Sequence, residues 1–167
     1  MSYEKELNII VTEIKKAYST LSKQSFDISQ KTKHDLVTDL DKNIEMQLSK
    51  VILDAFGGDK ILGEEMSSNT VIDGRTWTID PIDGTCNMAS GIGLFGIQCS
   101  LFEGDQIVLA VAYIPTFDYL ITAVKGEGCY LNGKRVVAKS DIDINNAIIS
   151  FGDYPHKNSD RPSIRSA

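Results

Sequence analysis

Two aspartates, Asp80 and Asp83, stand three residues apart, with a proline between them and a Gly-Thr pair directly after the second. Hard cations such as Mg²⁺ prefer oxygen ligands that are few and rigidly placed. Two metal ions about 3.5–4 Å apart on a phosphoryl group also need a carboxylate that bridges them. This short segment could supply that carboxylate, a second one, a backbone carbonyl and N–H groups that face a phosphate. Because Asp, Pro and Gly clusters are also typical of ordinary turns, the pattern alone leaves both interpretations open.

Hydrophobic periodicity assigns the elements that must position these aspartates. Apolar residues at three- and four-residue steps predict an amphipathic helix over residues 3–24. A second helix begins at a capping-box-like Thr38 and ends near Gly57. The apolar run 77–79 predicts a short strand that stops at Pro81, because proline cannot donate to a strand ladder. Both aspartates would then lie on a stiff turn at the end of a strand.

Downstream of this turn the sequence predicts an antiparallel β meander. Asn132 and Gly133 form a strong type I′ hairpin signal, and residues 66–76 are typical of an exposed polar linker. Residues 91–96 fit G-x-G-x-x-G, but a β-like run rather than a helix follows, so a dinucleotide-binding fold is rejected. The predicted strands cover residues 96–102, 106–114, 119–124, 129–131, 135–137 and 142–151. Two helices packed on this largely antiparallel sheet give an α+β fold class.

Two further carboxylates could join the two aspartates. Asp41 lies in the first turn of the second predicted helix, where a carboxylate favours the positive end of the helix dipole. Glu64 follows a glycine in the string Gly-Glu-Glu, which by itself is typical of a solvated turn. Both positions are therefore also compatible with an ordinary surface role. Cys86, inside the turn, is interpreted as a small filler, because no histidine accompanies it locally.

Three strings, taken in chain order, resemble the inositol monophosphatase family. The first signature of that family runs Trp-x-Ile-Asp-Pro-Ile-Asp-Gly-Thr-x-Asn-Phe, and residues 77–88 match it except at the end, where Met88 replaces Phe. Upstream, Asp-Leu-Val-Thr-x-x-Asp at residues 35–41 and Gly-Glu-Glu at residues 63–65 are similar to two further family strings. The four carboxylates therefore follow the order of the family with comparable spacing.

The resemblance implies Mg²⁺-dependent hydrolysis of a small phosphomonoester, with an inositol monophosphate as the first choice of substrate. By residue-for-residue carry-over, Glu64, Asp80 and the Ile82 carbonyl would hold the first Mg²⁺, which lowers the pKa of a bound water. Asp80 and Asp83 would hold a second Mg²⁺ at the leaving-group oxygen. No covalent intermediate is implied.

The resemblance also implies roles for the neighbouring groups. Glu64 and Thr85 would orient and deprotonate the attacking water, and Asp41 would lie beside the metal site. The N–H groups of Gly84 and Thr85 would receive the substrate phosphate if a helix starts there, with Asp83 next to them. Fructose bisphosphate, a nucleotide 3′-phosphate and histidinol phosphate remain alternative substrates, because relatives with similar signatures act on them.

The resemblance covers nearly the whole chain but only the first half to two-thirds of the family. It implies the N-terminal half of a layered αβαβα sugar-phosphatase fold. Residues 1–151 would form a metal-binding α+β domain, and residues 152–167 a truncated or disordered tail. The second family signature, Trp-Asp, supplies the remaining ligand of the second metal, whereas the single tryptophan here, Trp77, belongs to the first signature. The alternative function is therefore an inactive relative that acts only as a weak metal-binding or association module.

Composition limits the partners that this chain can have. Its 167 residues are 42% hydrophobic and 24% charged, which is ordinary for a globular protein. A net charge of −6 argues against non-specific binding to nucleic acid or anionic membranes. The three cysteines fit neither a disulfide framework nor a CxxC metal site. We expect a cytoplasmic phosphatase with a small phosphorylated sugar or polyol as substrate, without nucleic-acid or membrane partners, and homodimeric if the fold is completed.

Overall fold

The structure, a computed structural model, describes residues 2–21, 28–32, 35–66, 71–138 and 143–147. The chain divides into two compact units, Met1–Val137 and Ala138–Ala167, and all candidate site residues belong to the first. In the second unit, Ile144–Asn146 forms a 3₁₀ turn where the sequence predicted a strand. The Asp143 carboxylate accepts the backbone N–H of Asn145 at 3.0 Å, an Asx-type bond that favours a turn. The predicted boundary at residue 151 and the tail 152–167 lie outside the described residues.

Two long helices, α1 (Glu4–Leu21) and α2 (Asp39–Ala55), pack against each other and against the main sheet. Their apolar stripes are buried as the periodicity predicts, with Ile10 and Ile14 of α1 and Ile44 and Ile52 of α2 wholly enclosed. The predicted extension of α1 over residues 22–24 lies outside the described residues. Within the described part of the chain, no helix combines the length and apolar character needed to cross a membrane.

A seven-stranded sheet forms the body of the first unit, and its strands follow one another in chain order. The strands are β3 (Lys60–Gly63), β4 (Arg75–Asp83), β5 (Gly96–Glu103), β6 (Gln106–Ile114), β7 (Tyr119–Val124), β8 (Gly128–Leu131) and β9 (Lys134–Val136). Every neighbouring pair is antiparallel except β3 and β4, which are parallel. A separate hairpin of β1 (Ile28–Thr32) and β2 (Asp35–Thr38) precedes α2. The α+β class and the largely antiparallel sheet are therefore confirmed.

Three local expectations, two about the sheet and one about the helices, need correction or extension. Strand β3 was not predicted, because four residues before a Gly-Glu-Glu string carry too short a pattern. The predicted linker 66–76 ends at Gly74, since Arg75 and Thr76 begin β4 and Thr76 is fully buried; residues 67–70 lie outside the described part. A third, short helix, α3 (Thr85–Ala89), adds to the two expected ones.

The hairpin signal at the far end of the meander is confirmed. Asn132 and Gly133 both adopt positive φ, at 48° and 76°, as a type I′ turn requires. Residues 91–95 of the G-x-G-x-x-G string lie in the connection between α3 and β5, and Gly96 begins β5, so the string does not stand between a strand and a helix. The rejection of a dinucleotide-binding fold therefore stands.

An ion-pair cluster around Arg75 ties the start of β4 to three other elements. The Arg75 guanidinium donates to Asp59 at 3.0 Å, to Glu6 at 2.9 Å and to Glu103 at 2.7 Å. These partners lie on the loop after α2, on α1 and on β5 respectively. The indole N–H of Trp77 donates to the same Asp59 carboxylate at 2.8 Å. The entrance to β4 is thus fixed by charge-assisted bonds.

Candidate active site

A β-bulge in β4 places the two signature aspartates. Asp80 is opposite Gln98 of β5, whereas Asp83 is opposite Gly96, so two residues of β4 face one residue of β5 between them. The prediction that the strand stops at Pro81 is wrong, because β4 continues to Asp83. Proline lacks a backbone N–H, and a bulge is a position in a sheet that does not need one. Both carboxylates therefore lie on continuous strand backbone, with the bend between them.

The strand leads into α3 through Gly84, which has φ 88° and precedes the first helical residue, Thr85. The resemblance made phosphate binding here conditional on a helix start, and α3 begins at Thr85. The Thr85 hydroxyl lies 3.1 Å from Oδ1 of Asp41 and 2.9 Å from the Ile82 carbonyl oxygen. Asp41 is 1% exposed, so it is not the solvated helix-end carboxylate that its position alone would suggest. The Thr85 hydroxyl therefore connects the first turn of α2 with the signature turn, which is the segment from Ile82 to Thr85.

The Gly84→Ala variant is expected to lose more stability than Gly91→Ala, although both glycines have positive φ, at 88° and 74°. A Cβ at Gly84 would lie 3.1 Å from the Leu94 carbonyl oxygen, whereas one at Gly91 would meet nothing within 4 Å. The left-handed conformation costs each variant about 1–2 kcal/mol. The tight contact should add to that cost only in Gly84→Ala. Urea unfolding followed by Trp77 fluorescence measures both, and equal losses would show that the Leu94 contact carries no cost.

Glu64 lies directly after β3, beside the carboxylate of Asp80. Its backbone N–H donates to the Ile79 carbonyl at 3.2 Å, which continues the parallel pairing of β3 with β4 by one step. Burial, together with the neighbouring Glu64 carboxylate and the charges of Asp83 and Asp41, raises the pKa of Asp80 to about 7. Oδ1 of Asp80 is buried and has no hydrogen-bond partner among the described residues. Three other carboxylates therefore act electrostatically on Asp80, one of whose oxygens is unsatisfied.

Two residues that sequence reasoning missed contact these elements. Gln98 donates its side-chain N–H to Oδ2 of Asp83 at 2.6 Å, but a polar residue on a half-exposed strand gives no distinguishing signal. Glu45 is 1% exposed on α2, and its carboxylate accepts the backbone N–H groups of Glu65 and Met66 at 2.7 and 3.0 Å. In contrast to Gln98, Glu45 could have been identified from the sequence, because a charged residue next to Ile44 on the apolar face of a helix indicates a buried charge.

The donor set has the ligand type that a hard divalent cation needs. All candidate ligands are oxygens, and Asp80, Glu64 and Gln98 line a cleft of about 560 Å³ on the sheet. Such oxygens suit Mg²⁺. Among the residues that the structure describes, no three His, Cys, Asp or Glu side chains converge in a metal-holding geometry. The donors thus have the right chemical type for the cation. They lie near each other in pairs and do not form a closed coordination site.

The sequence profile of the inositol monophosphatase family matches residues 3–165. This chain belongs to the inositol monophosphatase family. An inositol monophosphatase of Dictyostelium discoideum is 39% identical over 140 residues, which are 82% of this chain and 50% of that relative. A fructose-1,6-bisphosphatase/inositol-1-monophosphatase of Aquifex aeolicus is 32% identical over 139 residues, which are 83% of this chain and 52% of that relative. The chain therefore spans about half the length of these family members.

Solved structures of the family share the fold of the described unit. A crystal structure of an IMPase/NADP phosphatase complexed with Mg²⁺ and phosphate superposes with a TM-score of 0.71 at 26% identity. The match covers 79% of this chain and 51% of that one. The resemblance inferred from three short strings is thus confirmed at the level of family and fold. The roles of the individual site residues remain predictions.

Proposed function

We propose that this chain carries the metal-binding half of a Mg²⁺-dependent phosphomonoesterase. Its substrate would be inositol monophosphate or a similar small sugar or polyol phosphate. The observation that carries the proposal is the buried, unsatisfied Oδ1 of Asp80, with Glu64 beside that carboxylate and the negative charges of Asp83 and Asp41 acting on it. Family membership supports the reaction class, and the family structure solved with Mg²⁺ and phosphate supports the choice of cation. Like charges beside a partly buried carboxylate are costly unless a cation compensates them.

Four groups of the chain would hold the cations. Glu64, Asp80 and the Ile82 carbonyl would bind the first Mg²⁺, and Asp80 with Asp83 would bind the second. Bound Mg²⁺ supplies a lowered pKa for a coordinated water and neutralises charge on the phosphoryl oxygens. The bulge in β4 suits these roles, since it separates Asp80 from Asp83 while keeping both on one rigid strand. Gln98 would steady Asp83 through its 2.6 Å hydrogen bond.

The Thr85 hydroxyl would help to orient the attacking water by accepting a hydrogen bond from it. It has one hydrogen, which it can donate to Asp41 or to the Ile82 carbonyl. In either case its lone pairs remain free to accept a hydrogen bond from water. Buried Asp41 would draw the hydroxyl proton away and so make Thr85 a better acceptor. Glu64, exposed beside Asp80, would take the second contact to the water and act as base.

The substrate phosphate would lie at the signature turn. The N–H groups of Gly84 and Thr85 would donate to its oxygens, with Asp83 next to them, as the sequence predicted. The particular sugar or polyol and a homodimeric state remain predictions from the resemblance, and a cytoplasmic location remains a prediction from the cysteine content.

Phosphate release from inositol 1-phosphate tests the proposed function directly. We expect release by the purified chain that rises with Mg²⁺ concentration, stops on addition of EDTA, and is lost in Asp80→Asn. Asp105→Asn, an exposed aspartate in the turn between β5 and β6, is the matched control and should retain activity. Activity that persists in EDTA or in Asp80→Asn would contradict the metal assignment. Mg²⁺ binding without any turnover would instead favour the alternative metal-binding or association module.

A further inference from the structure

The buried carboxylate of Glu45 holds the turn that carries Glu64. It lies one helical turn after Asp41 on α2, and both its oxygens accept backbone N–H groups, Oε2 from Glu65 and Oε1 from Met66. A buried carboxylate is costly unless its oxygens are hydrogen-bonded. These bonds to a charged acceptor are stronger than neutral ones. The turn after β3 is therefore fastened to α2 by a side chain that the proposed chemistry does not use.

Gly63 provides the space in which this carboxylate lies. A Cβ at Gly63 would be 1.9 Å from Oε1 and 2.3 Å from Cδ of Glu45, far closer than two such atoms can approach. The φ of Gly63 is not positive, so its backbone conformation does not require glycine. Glycine is needed here because the Glu45 carboxylate sits directly over its Cα.

Together these contacts fix the backbone on both sides of Glu64. The N–H of Glu64 itself is bonded to the Ile79 carbonyl of β4 at 3.2 Å. The next two N–H groups are bonded to Glu45 on α2, and the residue before lies under the Glu45 carboxylate. Only the side-chain torsions of Glu64 are then left to vary. Preorganisation of this kind places a ligand at a lower entropic cost on binding.

We propose that Glu45 and Gly63 form a positioning pair, which fixes the turn from Gly63 to Met66 and thereby holds the Glu64 carboxylate against Asp80. Glu45 does not touch the cation or the substrate in this arrangement. It acts through the backbone of the turn. The consequence for metal binding rests on the proposed function, whereas the consequence for the turn does not.

Amide hydrogen exchange tests the turn without any metal. In Glu45→Gln one oxygen acceptor is replaced by an amide N–H₂ that faces another N–H, and in Gly63→Ala the carboxylate is displaced. We expect the amide protons of Glu65 and Met66 to exchange at least about tenfold faster in both variants. Ile52→Val, a mild change at a fully buried position of the same helix, should leave these two rates within about twofold after correction for global stability. Unchanged protection in Glu45→Gln and Gly63→Ala would overturn the proposal.

A double-variant cycle shows whether the two residues act on each other. Gly63→Ala should lower the urea midpoint clearly when Glu45 is present, and much less in a Glu45→Ala background, because the clashing carboxylate is gone. Additive shifts of the midpoint would contradict a positioning pair. Should Glu45→Ala fail to fold, the exchange rates of Glu65 and Met66 in Glu45→Gln and Gly63→Ala decide the proposal.

Calorimetric titration with Mg²⁺ separates positioning from simple stabilisation. We expect about tenfold weaker Mg²⁺ binding in Glu45→Gln, and an unchanged Kd in Ile52→Val. Faster exchange at Glu65 and Met66 combined with an unchanged Kd would overturn the positioning of Glu64. Absence of Mg²⁺ binding by the unaltered chain would contradict the proposed function instead. The exchange rates and the double-variant cycle would still decide whether Glu45 and Gly63 fix the turn.

Discussion

The Asp80→Asn variant is expected to abolish stabilisation by Mg²⁺ and, in the absence of metal, to unfold at a higher urea concentration than the unaltered chain. Without a cation, the Asp80 carboxylate is partly buried beside Glu64, with Asp83 and Asp41 also contributing repulsion. Asparagine keeps the shape and removes one of the charges. Functional sites commonly hold such strain at the expense of stability.

The size of both effects can be estimated. Removal of the crowded charge should raise the metal-free free energy of unfolding by about 1–2 kcal/mol at neutral pH, since the site is partly open to solvent and repulsion is screened. At a Mg²⁺ concentration of about 100 times Kd, the unaltered chain should gain about 2.7 kcal/mol through binding to the folded state alone. Asp80→Asn should gain almost nothing.

Urea unfolding with and without Mg²⁺ measures this prediction, and Trp77 is a convenient reporter because the chain contains a single tryptophan. Asp105→Asn serves as the control, since it removes the same charge from an exposed turn and should leave both curves unchanged. A metal-free Asp80→Asn that is less stable than the unaltered chain would show that the carboxylate is satisfied in the fold. The metal assignment would then lose its main support.

The parts of the fold that sequence could predict are those with long, regular patterns. Strands β6 and β7 were predicted to the residue, because apolar alternation and flanking turn residues mark both ends. Strand β3 has only four residues, and its parallel pairing joins residues such as Lys60 and Thr76 across an intervening connection. No local pattern carries that information. The rule that proline ends a strand failed at Pro81 because it assumes a regular ladder, and the bulge removes the need for a donor there.

The candidate site shows the same division between local and tertiary information. The signature string identified Asp80, Asp83 and Thr85 as candidates, and the structure brings Thr85 to Asp41 and Glu64 to Asp80. Periodicity alone had left Asp41 as a helix-end carboxylate. The missed Glu45 stands on an apolar helix face, so its burial could have been suspected. Its partners could not, because they are backbone N–H groups of a turn that lies 20 and 21 residues later.

The Trp77→Ala variant is expected to cause the largest loss of stability, about 3–5 kcal/mol. Trp77 is fully buried, and its indole stacks on Phe56 with ring centroids 5.8 Å apart. Its N–H donates to Asp59 at 2.8 Å, which joins it to the Arg75 cluster. Alanine would leave a cavity in the core and take one donor from a carboxylate that is only 7% exposed. Far-UV circular dichroism must follow the unfolding, because the variant removes the fluorescent reporter.

The Trp77→Phe variant separates the effect of aromatic packing from the effect of the indole N–H hydrogen bond. Phenylalanine can keep the stack on Phe56 but cannot donate to Asp59, which retains its bond to Arg75. The expected loss is about 1–2 kcal/mol, close to that of one hydrogen bond to a charged group. Side chains alternate along a strand, so Trp77 faces the helices, whereas Asp80 opens onto the cleft on the other face. Mg²⁺ affinity should therefore be unchanged in Trp77→Phe. A weakened affinity would mean that Trp77, although remote from the carboxylates, also determines the backbone position of β4 at the site.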